Sequence, residues 1–190
     1  MRPRFASSRA GGVVTHGAGR AGRIPWPLVL WPVVLWSVVL AGCGSSNEAV
    51  EVTAPSPTGV VASQCRHLVD VLPDTVADDE QARDVTPSDA PAAAWGDPPV
   101  VLRCGVPKPS ALVPTSACFE VDGVGWLATQ DGEEVSGDEP VSGTLTWTTI
   151  GRSAYVEVSV PEADGRQPSD PLPALAPAIK QTIPLVHPCQ

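Results

Sequence analysis

Basic residues are scarce over most of this sequence. The chain has 12 Lys and Arg against 21 Asp and Glu, and five of the basic residues are arginines that precede Cys43 in a stretch without acids. Removing those five leaves seven basic residues against 21 acids, a formal charge of −14. Without a cluster of Lys or Arg, such a chain is repelled by phosphate groups, so the sequence excludes nucleic acid as a partner.

The familiar catalytic motifs are also missing. The sequence contains no G-x-S-x-G, S-x-x-K, H-E-x-x-H or phosphate-binding loop motif, so common hydrolases and NTPases lose support. After Cys43 the histidines are His67 and His187, each two positions from a cysteine and more typical of a surface residue than of a general base. The sequence therefore predicts no catalytic residue, metal ligand or cofactor.

An apolar run without charges, Ile24 to Leu40, follows the arginine-only leader. Its length approaches the roughly 20 residues of a membrane-spanning helix, so an uncleaved N-terminal anchor is an alternative. Three prolines within the run, and small residues immediately before Cys43, favour a signal peptide over residues 1–42. Leu40 to Cys43 resembles the bacterial lipobox, in which the cysteine thiol receives a diacylglyceryl group.

The lipobox predicts that acylated Cys43 holds the protein on the outer face of the cytoplasmic membrane, because two or three acyl chains give stable attachment. Residues 43–59 are rich in Ser, Pro, Gly and Thr, which is typical of a flexible tether. The sequence then predicts one exported domain over residues 60–190.

Helical periodicity is present near both ends of that domain. Apolar residues repeat at helical spacing from Val61 to Leu72, and Pro73 ends the run. A second helix is expected from about Leu172, with Asp170 as N-cap, Pro171 at the first helical position and either a kink or a later start because of Pro177.

Strand patterns lie between the helices. Val100–Cys104 and Cys118–Val121 are expected strands, and the runs TLTWTTI and SAYVEVSV from Thr144 to Val160 flank Gly151-Arg152, which suits a two-residue type II′ turn. Alternation in the second run predicts a sheet with one wet face. The sequence therefore predicts an α+β domain in which a small antiparallel sheet is flanked by N- and C-terminal helices.

The acidic stretch between positions 131 and 139 is interpreted as a solvated hairpin loop rather than a calcium site.

Four cysteines follow the lipidation site: Cys65, Cys104, Cys118 and Cys189. An even number in an exported protein predicts two disulfides, and we favour Cys104 with Cys118 and Cys65 with Cys189. A metal site is the alternative, since Cys65-Arg66-His67 mirrors His187-Pro188-Cys189. Helical geometry weakens it, because residues two apart point to nearly opposite sides of a helix.

One long block, WGDPPVVLRCGV at positions 95–106, is the most specific stretch of the domain. With VGWL at 124–127, IGR at 150–152, YVEV at 155–158 and the terminal cysteine, it resembles an actinobacterial family catalogued as domain of unknown function 3515. The resemblance implies an exported or lipid-anchored envelope protein and supplies no catalytic residues.

The tryptophans after Cys43 and two charged residues of the long block are the candidate ligand-binding residues. Trp95, Trp126 and Trp147 either line a groove or, as we favour, pack in the core. Asp97 and Arg103 either pair structurally, the favoured interpretation, or contact a ligand.

Two functions remain open. The favoured one is a non-catalytic binding or scaffolding module of the cell envelope, whose partner is another envelope protein or a cell-wall ligand. The alternative is an enzyme acting on cell-wall material through a carboxylate pair that includes Asp97.

Overall fold

The structure is a computed structural model that describes residues 48–135 and 142–189. The described residues belong to one compact unit, Cys43–Gln190. The apolar run, Cys43, Asp138 and Glu139 lie outside the described residues. Within them, no helix is both long enough and apolar enough to cross a membrane.

The described residues form two helices and eleven strands. The helices are α1 (Gly59–Asp70) and α2 (Leu172–Thr182). The strands are β1 (Val50–Glu51), β2 (Thr75–Val76), β3 (Glu80–Arg83), β4 (Val85–Thr86), β5 (Ala92–Trp95), β6 (Val100–Val106), β7 (Phe119–Val121), β8 (Val124–Gln130), β9 (Glu133–Glu134), β10 (Thr144–Ile150) and β11 (Tyr155–Pro161).

Nine of the described strands make one antiparallel sheet in the order β2-β3-β5-β6-β11-β10-β8-β7, with β9 paired to β8. The predicted α+β class with a helix near each end is confirmed, but the sheet is larger than the small one expected. The additional strands include β8, which is buried on both faces over six of its seven residues and therefore lacks the alternation that marks a strand.

Both helices pack on one face of the sheet, which we call the helix-covered face. Their buried residues, such as Leu68 and Ile179, join one hydrophobic cluster with strand residues such as Leu102, Trp126 and Val158. Because side chains alternate along a strand, the residues between these point to the opposite face, here called the cleft face.

The helix ends differ slightly from the sequence prediction. Helix α2 begins at Leu172 and continues through Pro177, so of the two alternatives, a kink or a later start, the later start is wrong. Its N-cap position is Pro171 rather than Asp170, whose carboxylate instead accepts a hydrogen bond from the Gln167 N–H (2.6 Å). A proline has no N–H to donate and suits a helix start, where that group has no partner.

The β10–β11 hairpin is confirmed, with Leu145 opposite Val160 and Trp147 opposite Val158. The valines of β11 are buried and the residues between them are partly exposed, as the alternation predicts. The two-residue turn is wrong, because the strands end at Ile150 and Tyr155 and leave a four-residue loop, 151–154.

The described cysteines form the disulfides Cys65–Cys104 and Cys118–Cys189. Two disulfides are therefore present as predicted, but the favoured pairing is wrong. The strand order explains the difference, since Cys65 on α1 faces Cys104 on β6 within the core, with Cα atoms 5.4 Å apart. Their sulfurs are bonded to each other and so do not act as thiolate metal ligands.

The segment before α1 is joined to the domain. Strand β1 pairs in parallel with β4, placing Val50 opposite Val85. Farther along, Pro57 packs on Gly105, where an added Cβ would lie 2.6 Å from the proline ring and the backbone φ is +82°. Paired structure therefore begins ten residues before position 60.

Candidate functional site

A cleft of about 660 Å³ opens on the cleft face of the sheet. Its floor is formed by four neighbouring strands, β6, β11, β10 and β8. The side chains on this floor are Arg103, Glu157, Thr148, Thr146 and Thr129. The register explains the grouping, because Arg103 lies opposite Glu157 and Glu157 opposite Thr148 on successive strands.

An ion pair occupies one side of the floor. The Arg103 guanidinium donates through Nε (2.9 Å) and Nη2 to the same oxygen, Oε1 of Glu157. Within the described chain, Oε2 of Glu157 receives no hydrogen bond. The two side chains are 29% and 17% exposed, so the pair is shielded but still reached by solvent.

The walls of the cleft come from two irregular segments. Residues 53–55 form one wall, and Nη1 of Arg103 donates to the carbonyl of Thr53 (3.3 Å). Residues 106–110, the last residue of β6 and the four that follow it, form the other wall and bring Lys108 to the cleft. Prolines fix the backbone of both walls, since Pro55, Pro107 and Pro109 each restrict φ.

This arrangement suits hydrogen-bonded recognition. A threonine hydroxyl both donates and accepts hydrogen bonds, a carboxylate accepts them, and a lysine ammonium donates them. The floor and rim of the cleft therefore offer a ligand both donors and acceptors. A two-carboxylate hydrolytic mechanism needs a second acid across the cleft. Among the described lining residues, Glu157 is the only carboxylate.

A family model described as "Protein of unknown function (DUF3515)" covers residues 25–188. The chain belongs to the DUF3515 family. No curated protein and no solved structure matches it.

The structure separates the predicted ligand-binding residues of this DUF3515 chain. Trp95 and Trp126 are fully buried on the helix-covered face, as favoured from the sequence. Trp95 Nε1 donates to the carbonyl of Pro73 (2.9 Å), whereas Trp126 Nε1 has no partner among the described residues. Of the five candidate residues, Arg103 alone lines the cleft.

The favoured Asp97–Arg103 pair is wrong. Asp97 lies on the turn after β5, with its side chain 78% exposed and its carboxylate 4.0 Å from Arg83. Arg103 pairs with Glu157 instead, because β6 lies beside β11 and both residues point to the cleft face. Within the described residues, no cluster of three His, Cys, Asp or Glu side chains could hold a metal ion.

Several cleft residues were not identified from the sequence. Alternation in β11 placed Glu157 on the wet face, and Thr146 and Thr148 of β10 occupy the positions between buried Leu145, Trp147 and Thr149. These patterns indicate a polar strand face. They do not show that Arg103 and Lys108, which precede β10 and β11 by many residues, share it.

Proposed function

We propose that this DUF3515 chain is a cell-envelope lipoprotein, acylated at Cys43, whose domain is a non-catalytic binding module. The lipobox at Leu40–Cys43 supports the anchor, and the disulfides Cys65–Cys104 and Cys118–Cys189 are compatible with an extracellular location, where thiols are oxidised. The cleft is the ligand site of the module.

The observation that carries this proposal is the Arg103–Glu157 pair on the floor of the cleft. Glu157 Oε2, which has no partner among the described residues, accepts a hydrogen bond from a ligand hydroxyl, and the partly exposed Thr146 adds a hydroxyl beside it. Lys108 at the rim favours a negatively charged group. The ligand is therefore a hydroxyl-rich molecule with a carboxylate, the chemistry of an acidic cell-wall saccharide.

Calorimetric titration of the full chain in detergent with muramidase-released cell-wall fragments tests the cleft. We expect Thr146→Val, which keeps the side-chain shape, to weaken binding several-fold, and Arg103→Gln to weaken it at least tenfold. Arg66→Gln on the exposed surface of α1 is the matched control and should bind as wild type does. Equal binding by all four proteins, or the absence of binding, would refute the cleft as the site.

Two further measurements test the other parts of the proposal, that the domain is non-catalytic and that Cys43 is acylated. Chromatography of the fragments after incubation should show them unchanged, and their conversion would favour an enzyme. Cells that express Cys43→Ser should lose palmitate labelling of the protein. Labelling that persists would reject the lipid anchor without affecting the cleft.

A further inference from the structure

A second groove lies where the β10–β11 loop meets the tail that follows α2, and we call it the terminal groove. Its volume is about 570 Å³. Its lining includes four apolar or aromatic side chains, Val113, Ile150, Tyr155 and Val186. It also includes two cationic side chains, Lys108 and Arg152.

The tail that forms one wall is held firmly in place. The carbonyl of Gly151 accepts hydrogen bonds from the backbone N–H groups of Val186 (2.7 Å) and His187 (2.9 Å). Two residues later, the disulfide Cys118–Cys189 fixes the tail to the segment before β7. A wall held by covalent and backbone bonds loses little conformational entropy when a partner binds.

This fixed wall presents apolar side chains to solvent. Val186 is 54% exposed and Val113, which also lines the groove, is 48% exposed. In residues 48–135 and 142–189 they are two of only four large apolar side chains that are exposed, and Ile150 and Tyr155 line the same groove. Clustered apolar exposure in a soluble domain indicates an interaction surface.

The charge of the terminal groove is opposite to that of the domain. None of the described residues that line it is Asp or Glu, although the chain after Cys43 has 21 acids against seven bases. Arg152 donates to the carbonyls of Ile183 (2.8 Å) and Gly123 (3.0 Å) rather than to a carboxylate. Desolvation by burial lowers the pKa of its guanidinium. An arginine side chain stays charged in proteins, and none of the ion pairs among the described residues includes Arg152.

We propose that the terminal groove docks a protein segment that combines apolar side chains with carboxylates. The apolar walls fit the former, and Lys108 and Arg152 attract the latter. The strongly acidic domain opposes two other occupants. A second copy of the domain is equally acidic, since the part of the chain after Cys43 has a formal charge of −14, and two cations are too few to hold an acidic domain on an anionic membrane, where recognition uses clusters of four to eight.

A random dodecapeptide library displayed on phage tests this proposal against the full chain in detergent. We expect the enriched peptides to combine apolar residues with Asp or Glu, and their binding to weaken with added salt. The best peptide should bind Val186→Asp at least tenfold more weakly than wild type. Leu185→Asp is the matched control, because Leu185 precedes Val186, is 56% exposed and does not line the groove.

Several outcomes would overturn the proposal. They are enrichment of basic peptides, failure to enrich any peptide, and equal loss of binding in both variants. Sedimentation with phosphatidylglycerol vesicles that depends on Val186 would assign the groove to a membrane, and a Val186-dependent dimer would assign it to a second copy. Peptide binding that survives Arg103→Gln distinguishes this groove from the cleft.

Discussion

Arg103 on β6 forms an ion pair with Glu157 on β11, although 54 residues separate the two in sequence. The two strands are neighbours in the sheet, and both side chains point away from the helices. An exposed salt bridge contributes little to stability, and in a fully buried one the cost of desolvating the charges opposes their attraction. The Arg103–Glu157 pair is partly shielded and so lies between these two cases.

Replacing Glu157 with Gln should destabilise the domain, because the Arg103 guanidinium loses its charged acceptor. Hydrogen bonds to charged groups contribute roughly 1.5–3 kcal/mol, and we expect a loss toward the lower end of that range for this partly exposed pair. Urea unfolding followed by tryptophan fluorescence measures it. Glu120→Gln, at an exposed position of β7, is the control, and equal unfolding midpoints for the two variants would contradict the prediction.

Trp95 and Trp126 offer a matched comparison in the core, since both are fully buried. Trp95→Phe leaves the Pro73 carbonyl without its indole donor, whereas Trp126→Phe removes an N–H that has no described acceptor. We therefore expect Trp95→Phe to cost about 1 kcal/mol more in the free energy of unfolding. If urea unfolding shows that Trp126→Phe loses more free energy of unfolding than Trp95→Phe, Trp126 Nε1 has an important partner and the prediction is wrong.

The two disulfides should differ in their resistance to reduction. Cys65 and Cys104 are completely buried, whereas Cys118 and Cys189 are both partly exposed. Because thiol exchange requires access to a sulfur, a mild reductant should open Cys118–Cys189 first. Alkylation at timed intervals followed by peptide mass spectrometry gives the order. Simultaneous loss of both bonds without unfolding would disprove it.

Gly125 on β8 should be indispensable for the second disulfide. A Cβ on this residue would lie 2.9 Å from the sulfur of Cys118 and would overlap that of Cys189. We expect Gly125→Ala to leave free thiols at both cysteines, detected by alkylation without prior reduction. Ser142→Ala at an exposed position is the control. A fully oxidised Gly125→Ala protein would show that the tail can shift without losing the bond.

Local sequence patterns determined the helices, the β10–β11 hairpin and the buried face of β11. Each depends on residues that repeat at the period of one element, so neighbours in the chain are sufficient to reveal it. Pro73 and the apolar spacing before it predicted the end of α1 to within two residues. The even number of cysteines likewise predicted two disulfides without their partners.

The tertiary structure decided which distant residues meet. The place of β6 between β5 and β11, with α1 packed on it, gives Arg103 the partner Glu157 and Cys104 the partner Cys65. β8 was not predicted because burial on both faces removes the alternation that marks a strand. These outcomes depend on strand order and helix packing, which are set by contacts across the whole domain and leave no periodic signal in the sequence.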